Sequence, residues 1–148
     1  MAYSKVNKYF PLVFTSASGG SLVVTTSAVI DCSAAAGTTS YAWKTIVPFI
    51  LYGWGVIVSE VVGSFTTVKP VASISGTIGT ASLAELGTLS PAGAEAVNSE
   101  IMGTLATLNQ KFGRNDLVTF KTKTQGTGGT TTGDLVPFLL VEFFPTLP

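Results

Sequence analysis

At 148 residues the chain has room for one domain with a real core. Its hydrophobic fraction is 46%, its charged fraction only 11%, and eight basic residues cancel eight acidic ones. That balance argues against an electrostatically driven nucleic-acid binder and favours self-association. Either much of the surface is buried against other subunits, or the chain is a small β domain with a Thr/Ser surface. Cys32 is the single cysteine. No intrachain disulfide can form, and the residue reads as a small buried apolar side chain.

Residues 1–10 read as an extended N-terminal arm that alternates aromatic and cationic groups: Tyr3, Lys5, Lys8, Tyr9 and Phe10. Pro11 separates it from a single domain over 11–148. Lys5 and Lys8 ahead of Tyr9–Phe14 only faintly mimic a signal peptide, because the apolar run is short and carries a proline. Gly19-Gly20 makes a turn, Leu22 to Ile30 alternates as a strand, and 33–40 is a small, polar loop.

Tyr41 to Val68 holds the densest β signal. Ile46–Leu51 predicts one strand, Gly53-Trp54-Gly55 a break or bend, and Val56–Val62 with Phe65–Val68 either a continuation or a partner across a turn. Proline cannot donate to a ladder, so Pro48 belongs at an edge or bulge. At its longest, over Ile46–Val58, the apolar run is too short to span a bilayer and contains Pro48, Gly53 and Gly55, so no membrane segment is expected. Val71–Ile78 predicts another strand. The run 46–51 resembles 135–140, both with Val-Pro-Phe inside an aliphatic strand, a match short enough to be coincidence of β composition.

Thr80–Gly113 is ambiguous. Ser90-Pro91 fits a helix N-cap with proline at the first helical position, and Val97, Ile101, Leu105 and Leu108 recur at helical spacing. Gly93, Asn98, Ser99, Gly103 and Thr104 are poor helix formers. Two readings stay open: one short helix within 91–111, or a long crossing loop with short strands.

The stretch from Lys111 to Pro145 carries the clearest β pattern. Val118, Phe120, Thr122 and Thr124 share one face of a strand; Leu117, Thr119, Lys121 and Lys123 share the other. A Gly/Thr segment follows, expected to be a mobile tip. Leu135–Phe144 is apolar nearly throughout, as in a strand buried on both faces or pressed on a partner. Two such strands joined by a glycine-rich tip predict an antiparallel hairpin. The fold class is therefore all-β: an antiparallel β-sandwich or jelly-roll-like domain.

Chemistry is sparse. Without histidine there is no Ser-His-Asp or Cys-His constellation. The acids are scattered singly, no Asp-rich calcium loop is present, and the Gly126–Gly133 segment lacks the Gly-Lys-Ser/Thr ending of a phosphate loop. Lys111, Arg114, Lys121 and Lys123 form the only basic cluster, with Asp116 among them; it reads as a solvated face that guards a strand edge. No catalytic residue, cofactor or metal site is expected, and no nucleic-acid or membrane partner.

The pattern Phe112-Gly113-Arg114-Asn115-Asp116-Leu117-Val118-Thr119-Phe120, then the glycine-threonine tip, then Thr132-Gly133-Asp134 and a final aliphatic strand, is similar to the C-terminal halves of tailed-phage head decoration (cement) proteins. The resemblance covers about a third of the chain. It implies a β-sandwich or jelly roll, usually a dimer or trimer, that binds and staples the major capsid protein lattice at the virion surface. Multivalent contact of that kind asks for apolar surface and extended arms rather than catalysis. A trimer is favoured here, with candidate interface residues Tyr3, Lys5, Lys8, Tyr9, Phe10, Phe138, Leu140, Phe143 and Phe144. The rival readings are another small virion subunit, or a carbohydrate- or ligand-binding β-sandwich with Trp43, Trp54 or Tyr52 lining a pocket.

Overall fold

The computed structural model describes residues 10–13, 16–18, 21–25, 29–45, 47–82, 84–107 and 109–143. In chain order the strands are β1 (Phe10–Val13), β2 (Ser16–Ser18), β3 (Ser21–Thr25), β4 (Ile30–Asp31), β5 (Thr38–Lys44), β6 (Phe49–Glu60) and β7 (Val71–Ile78). They continue with β8 (Ala81–Ser82), β9 (Gly87–Leu89), β10 (Glu100–Met102), β11 (Gln110–Phe112), β12 (Leu117–Thr124) and β13 (Asp134–Phe143). No helix occurs among the described residues.

The strands form two antiparallel sheets. The first runs β1-β13-β6-β10, with β4 also on β13 and β11 also on β6; the second runs β5-β12-β7-β8, with β9 also on β7. β1 and β4 lie along one edge of β13, β10 and β11 along one edge of β6, and β8 and β9 along one edge of β7, so each pair counts as one interrupted strand. Eight strands then remain, ordered 1-8-3-6 in the first sheet and 2-7-4-5 in the second. β2 and β3 form a separate two-stranded hairpin.

Period-two alternation explains why these segments face each other. In β12 Val118, Phe120 and Thr122 are buried, as the sequence pattern predicts. From β6, Phe49, Leu51, Trp54, Val56 and Val58 enter the same core. From β13, Leu135, Leu139 and Val141 do. Trp43, Phe112 and Phe143 surround Phe49, with ring centroids at 5.6, 5.2 and 6.4 Å. Each fully buried large apolar side chain contributes about 1.5–3 kcal/mol.

Three sequence expectations change. The first concerns the hairpin of β12 and β13. The two strands lie in different sheets: β12 pairs with β5 and β7, β13 with β1, β4 and β6. Each has its own apolar face to bury, and a sandwich buries both by setting them on opposite walls. The second is the short helix within 91–111. In its place are β10, β11 and irregular chain, with positive φ at Gly93, Ala94, Asn98 and Asn109. Residues 103–106 instead tie the two sheets together. Gly103 N–H donates to the Trp54 carbonyl at 2.9 Å, while Thr104 and Ala106 N–H donate to Thr88 and Leu86 at 2.9 and 2.7 Å. The third is the break at Gly53-Trp54-Gly55. β6 runs through it unbroken, and its register shift falls beside Tyr52, between the pairs Gly53–Leu140 and Leu51–Val141.

Pro48 lies just ahead of β6, outside the ladder. The two Val-Pro-Phe runs are not equivalent. Phe49 is fully buried in the core cluster, whereas Phe138 pairs with Gly55, one residue out of phase with the inward Trp54.

Candidate interaction surface

The two sheets present opposite chemistries outward. The register puts Leu117, Thr119 and Lys121 of β12 opposite Thr77, Ser75 and Ser73 of β7. These outward positions are half-buried or exposed except Ser73, and Lys123 pairs with Glu85 at 2.7 Å across exposed ground. That wall is a hydroxyl and lysine surface. The four basic residues predicted as one cluster divide between places: Lys121 and Lys123 sit on this wall, Lys111 on β11 of the other sheet, and Arg114 in the turn before β12.

The outer face of the first sheet is apolar. Val136, Phe138 and Leu140 of β13 lie in register with Ile57, Gly55 and Gly53 of β6, and Met102 of β10 pairs with Gly55 from the other side. The two glycines make room for their neighbours. A β-carbon on Gly55 would come within 2.6 Å of the Phe138 ring, and one on Gly53 within 3.2 Å of Leu140. The Phe138 ring therefore sits over Gly55 of β6. At one end of the face, Tyr52 Oη donates to Glu142 Oε2 at 2.6 Å.

The predicted interface residues meet different fates. Phe138 and Leu140 belong to this outer face; Phe138 is 4% exposed and Leu140 half-buried. Phe143 has the inward phase and packs edge-on to Phe49. It supports the core, because the alternation that exposes Glu142 turns Phe143 the other way. Phe10 begins β1 opposite Val141. Tyr3, Lys5, Lys8, Tyr9 and Phe144 lie outside the described residues. Gly53 and Gly55 were read only as strand breakers. The signal that could have revealed their role is their period-two spacing within an aliphatic strand.

The aromatics proposed for a glycan pocket are occupied elsewhere. Trp54 has no exposed surface, and its Nε1 donates to the Thr104 carbonyl at 2.9 Å. Trp43 stacks on Phe49. The crevice between Ile30, Cys32, Pro70 and Leu135 holds no space for a water molecule.

At the end of the sandwich near Cys32, three acids stand side by side across three strands: Asp31 opposite Asp134, and Asp134 opposite Glu60. Burial first, then Glu60 and Asp31, push the Asp134 carboxyl above its usual value. Asp31 accepts from the Ser33 N–H and hydroxyl at 2.7 and 2.6 Å, and Glu60 accepts from Gly133 N–H at 3.3 Å. No group of three potential ligands arranged to hold a metal occurs among the described residues. The Cys32 thiol is pushed up to about 12, by burial and then by Asp31, Asp134, Glu95 and Glu60, so it stays protonated and unreactive at neutral pH.

Among the described residues Asp116 is the acid that is fully buried. It accepts from Gly113 N–H at 2.6 Å and Gly79 N–H at 2.8 Å, tying the turn before β12 to the turn after β7. This is structural work within the Gly113–Asp116 motif that the sequence singled out.

The fold and this surface define an all-β, antiparallel sandwich with one polar and one apolar outer wall. No family model matches the chain, and no curated protein matches it significantly.

Proposed function

We propose that the chain is a virion structural subunit, a decoration (cement) protein that binds an assembled capsid lattice. The observation that carries this reading is the strand order. The orders 1-8-3-6 and 2-7-4-5 place 1 beside 8, 2 beside 7, 3 beside 6 and 4 beside 5, as if one long antiparallel ribbon had been folded onto itself. That nesting is the wrapping expected of a jelly roll, an architecture that recurs in viral capsid domains and lectins. The placement of Trp43, Trp54 and Tyr52 favours the capsid role over the lectin one, since a glycan-binding cleft needs an aromatic platform and these three are engaged within the fold.

The asymmetry of the walls supports assembly. A wall of Val136, Leu140, Ile57 and Met102 is poorly suited to face water alone, whereas the Thr/Ser/Lys wall is suited to solvent. A homotrimer seated on the major capsid protein, with the polar wall outward, accommodates both. The test is made on purified virions whose genome encodes this chain. The chain should be present in a simple copy ratio to the major capsid protein, and purified chain should rebind heads stripped of it. Absence from purified virions, or failure to rebind alongside selective glycan binding, overturns the reading in favour of the lectin-like alternative.

A further inference from the structure

Met102 is exposed on the apolar wall, but other exposed large apolar residues lie at the two ends of the sandwich. Val61 and Val97 are 50% and 45% exposed at the end near Cys32, and Val47 is 41% exposed at the opposite end. Backbone bonds bring the first two together. Val62 N–H donates to the Glu95 carbonyl at 3.1 Å, Ala94 N–H to the Val62 carbonyl at 3.0 Å and Asn98 N–H to the Val58 carbonyl at 2.8 Å, so residues 94–98 run along the end of β6.

Charge divides between the same two ends. Around Val61 and Val97 stand Asp31, Glu60 and Asp134 in adjacent register, with Glu95 beside them and Glu100 exposed on β10 opposite Ile57. Asp31, Asp134, Glu95 and Glu60 all act on the Cys32 thiol, so they converge on one place. Like charges opposed on neighbouring strands repel one another. Lys69, next to the Val68–Thr127 bridge, is a cation of that end, and Lys123 is taken by Glu85. At the other end Lys44 closes β5, Lys111 sits opposite Ile50 and Arg114 lies in the turn before β12, all three exposed. The acids there are engaged: Asp116 is buried on the N–H groups of Gly79 and Gly113, and Glu142 accepts from Tyr52.

The run of β6 from Ile50 to Glu60 spans roughly 33 Å, whereas salt screens charges over about 8 Å. The two ends therefore do not neutralise each other within one copy. We propose that the acidic end of one copy, around Val61 and Val97, docks on the cationic end of a second copy, around Val47. Each side then brings an apolar centre and a charged rim of opposite sign. The contact joins two different surfaces, so repeating it closes a ring or extends a filament. A ring of three is the homotrimer of the proposed function. The apolar wall stays open, and the contact needs no capsid, so failure of either idea leaves the other standing.

Light scattering on the purified full chain tests it. Self-association should weaken about tenfold or more between 0.05 and 0.5 M NaCl. Glu60→Lys/Glu100→Lys removes the acidic excess at one end, and Lys44→Glu/Lys111→Glu reverses the other. Each pair should weaken association about tenfold or more at low salt while the β spectrum is retained. The quadruple variant should associate more tightly than either pair, because the exchanged charges attract again. Should a variant fail to fold, the salt series on the unmodified chain decides alone. A monomer at both salt concentrations, an association indifferent to salt, or losses that simply add in the quadruple variant overturn the proposal.

Discussion

The ring of Phe65 occupies the space that a β-carbon on Gly126 would need. Phe65 is 4% exposed and belongs to the core cluster. The glycine-threonine segment expected to be a mobile tip is therefore the floor on which an aromatic core residue rests. Around that contact, Thr66 N–H donates to Gly128 at 3.1 Å, Thr67 and Val68 N–H donate to Thr127 at 3.0 and 3.1 Å, and Gly63 N–H donates to Thr132 at 2.9 Å. Thr132 Oγ1 adds a bond to the Val61 carbonyl at 3.0 Å.

Shortening the segment should be costly. Replacing Gly126–Thr132 by an Asn-Gly turn removes these bonds at about 1 kcal/mol each and uncovers Phe65, so a loss of roughly 3 kcal/mol or more is expected. Gly126→Ala alone should cost about 1–3 kcal/mol by overpacking. Urea unfolding monitored by tryptophan fluorescence measures both. A change of only a few tenths of a kcal/mol in either variant would return the segment to the status of a passive loop.

Trp54 should prove the most sensitive single core position. Its indole fills space against Gly103, donates to Thr104, and packs at 6.2 Å from Phe120. Trp54→Phe keeps an aromatic ring but leaves the Thr104 carbonyl without its indole partner, so a loss of about 1–3 kcal/mol is expected. Gly103→Ala should cost at least as much, because its methyl would enter the indole. Thermal melts of the two variants and the double variant check this. The double variant should show non-additivity, since the two residues share one contact.

Ala94 offers a stabilising change. It is exposed and held at φ 64°, in the left-handed region, while its N–H donates to the Val62 carbonyl at 3.0 Å. Glycine adopts that conformation without the β-carbon clash and keeps the hydrogen bond. Ala94→Gly should raise stability by about 0.5–1 kcal/mol, after allowing for glycine's freer unfolded state. A fall in the urea midpoint would contradict this.

Asp134 should make stability fall as pH rises through the acidic range. Its folded pKa is raised, so the folded state holds the proton more tightly than the unfolded chain does. The Asp134 contribution is therefore most favourable below the unfolded value near 3.8 and is lost as pH climbs through the raised folded value. Asp134→Asn removes a charge between Asp31 and Glu60. It should stabilise at pH 7 by about 0.2–1 kcal/mol, or up to roughly 4 °C in Tm. The difference should close at pH 3. A gain of equal size at both pH values would assign the effect to something other than ionisation.

Sequence alone determined the β class, the inward set Val118, Phe120 and Thr122, and the inert burial of Cys32. These follow from local periodicity and composition, which act within a few residues. It also suggested the importance of the Gly113–Asp116 turn, though not that Asp116 binds Gly79 across the fold. Tertiary structure decided the rest. Strand partners depend on which apolar faces can meet, so β12 and β13 went to opposite sheets despite reading as a hairpin. The helical spacing within 91–111 lost to the bonds that residues 103–106 make to both sheets. The spacing of Gly53 and Gly55 marks a gap in the strand face but not what fills it, because what these glycines and Gly126 accommodate is a ring or side chain from a strand or loop far away in sequence. Phe138 faces outward for the same reason. Period two divides β13 into two faces, but only the packing of Trp54 and its neighbours selects which face becomes the core.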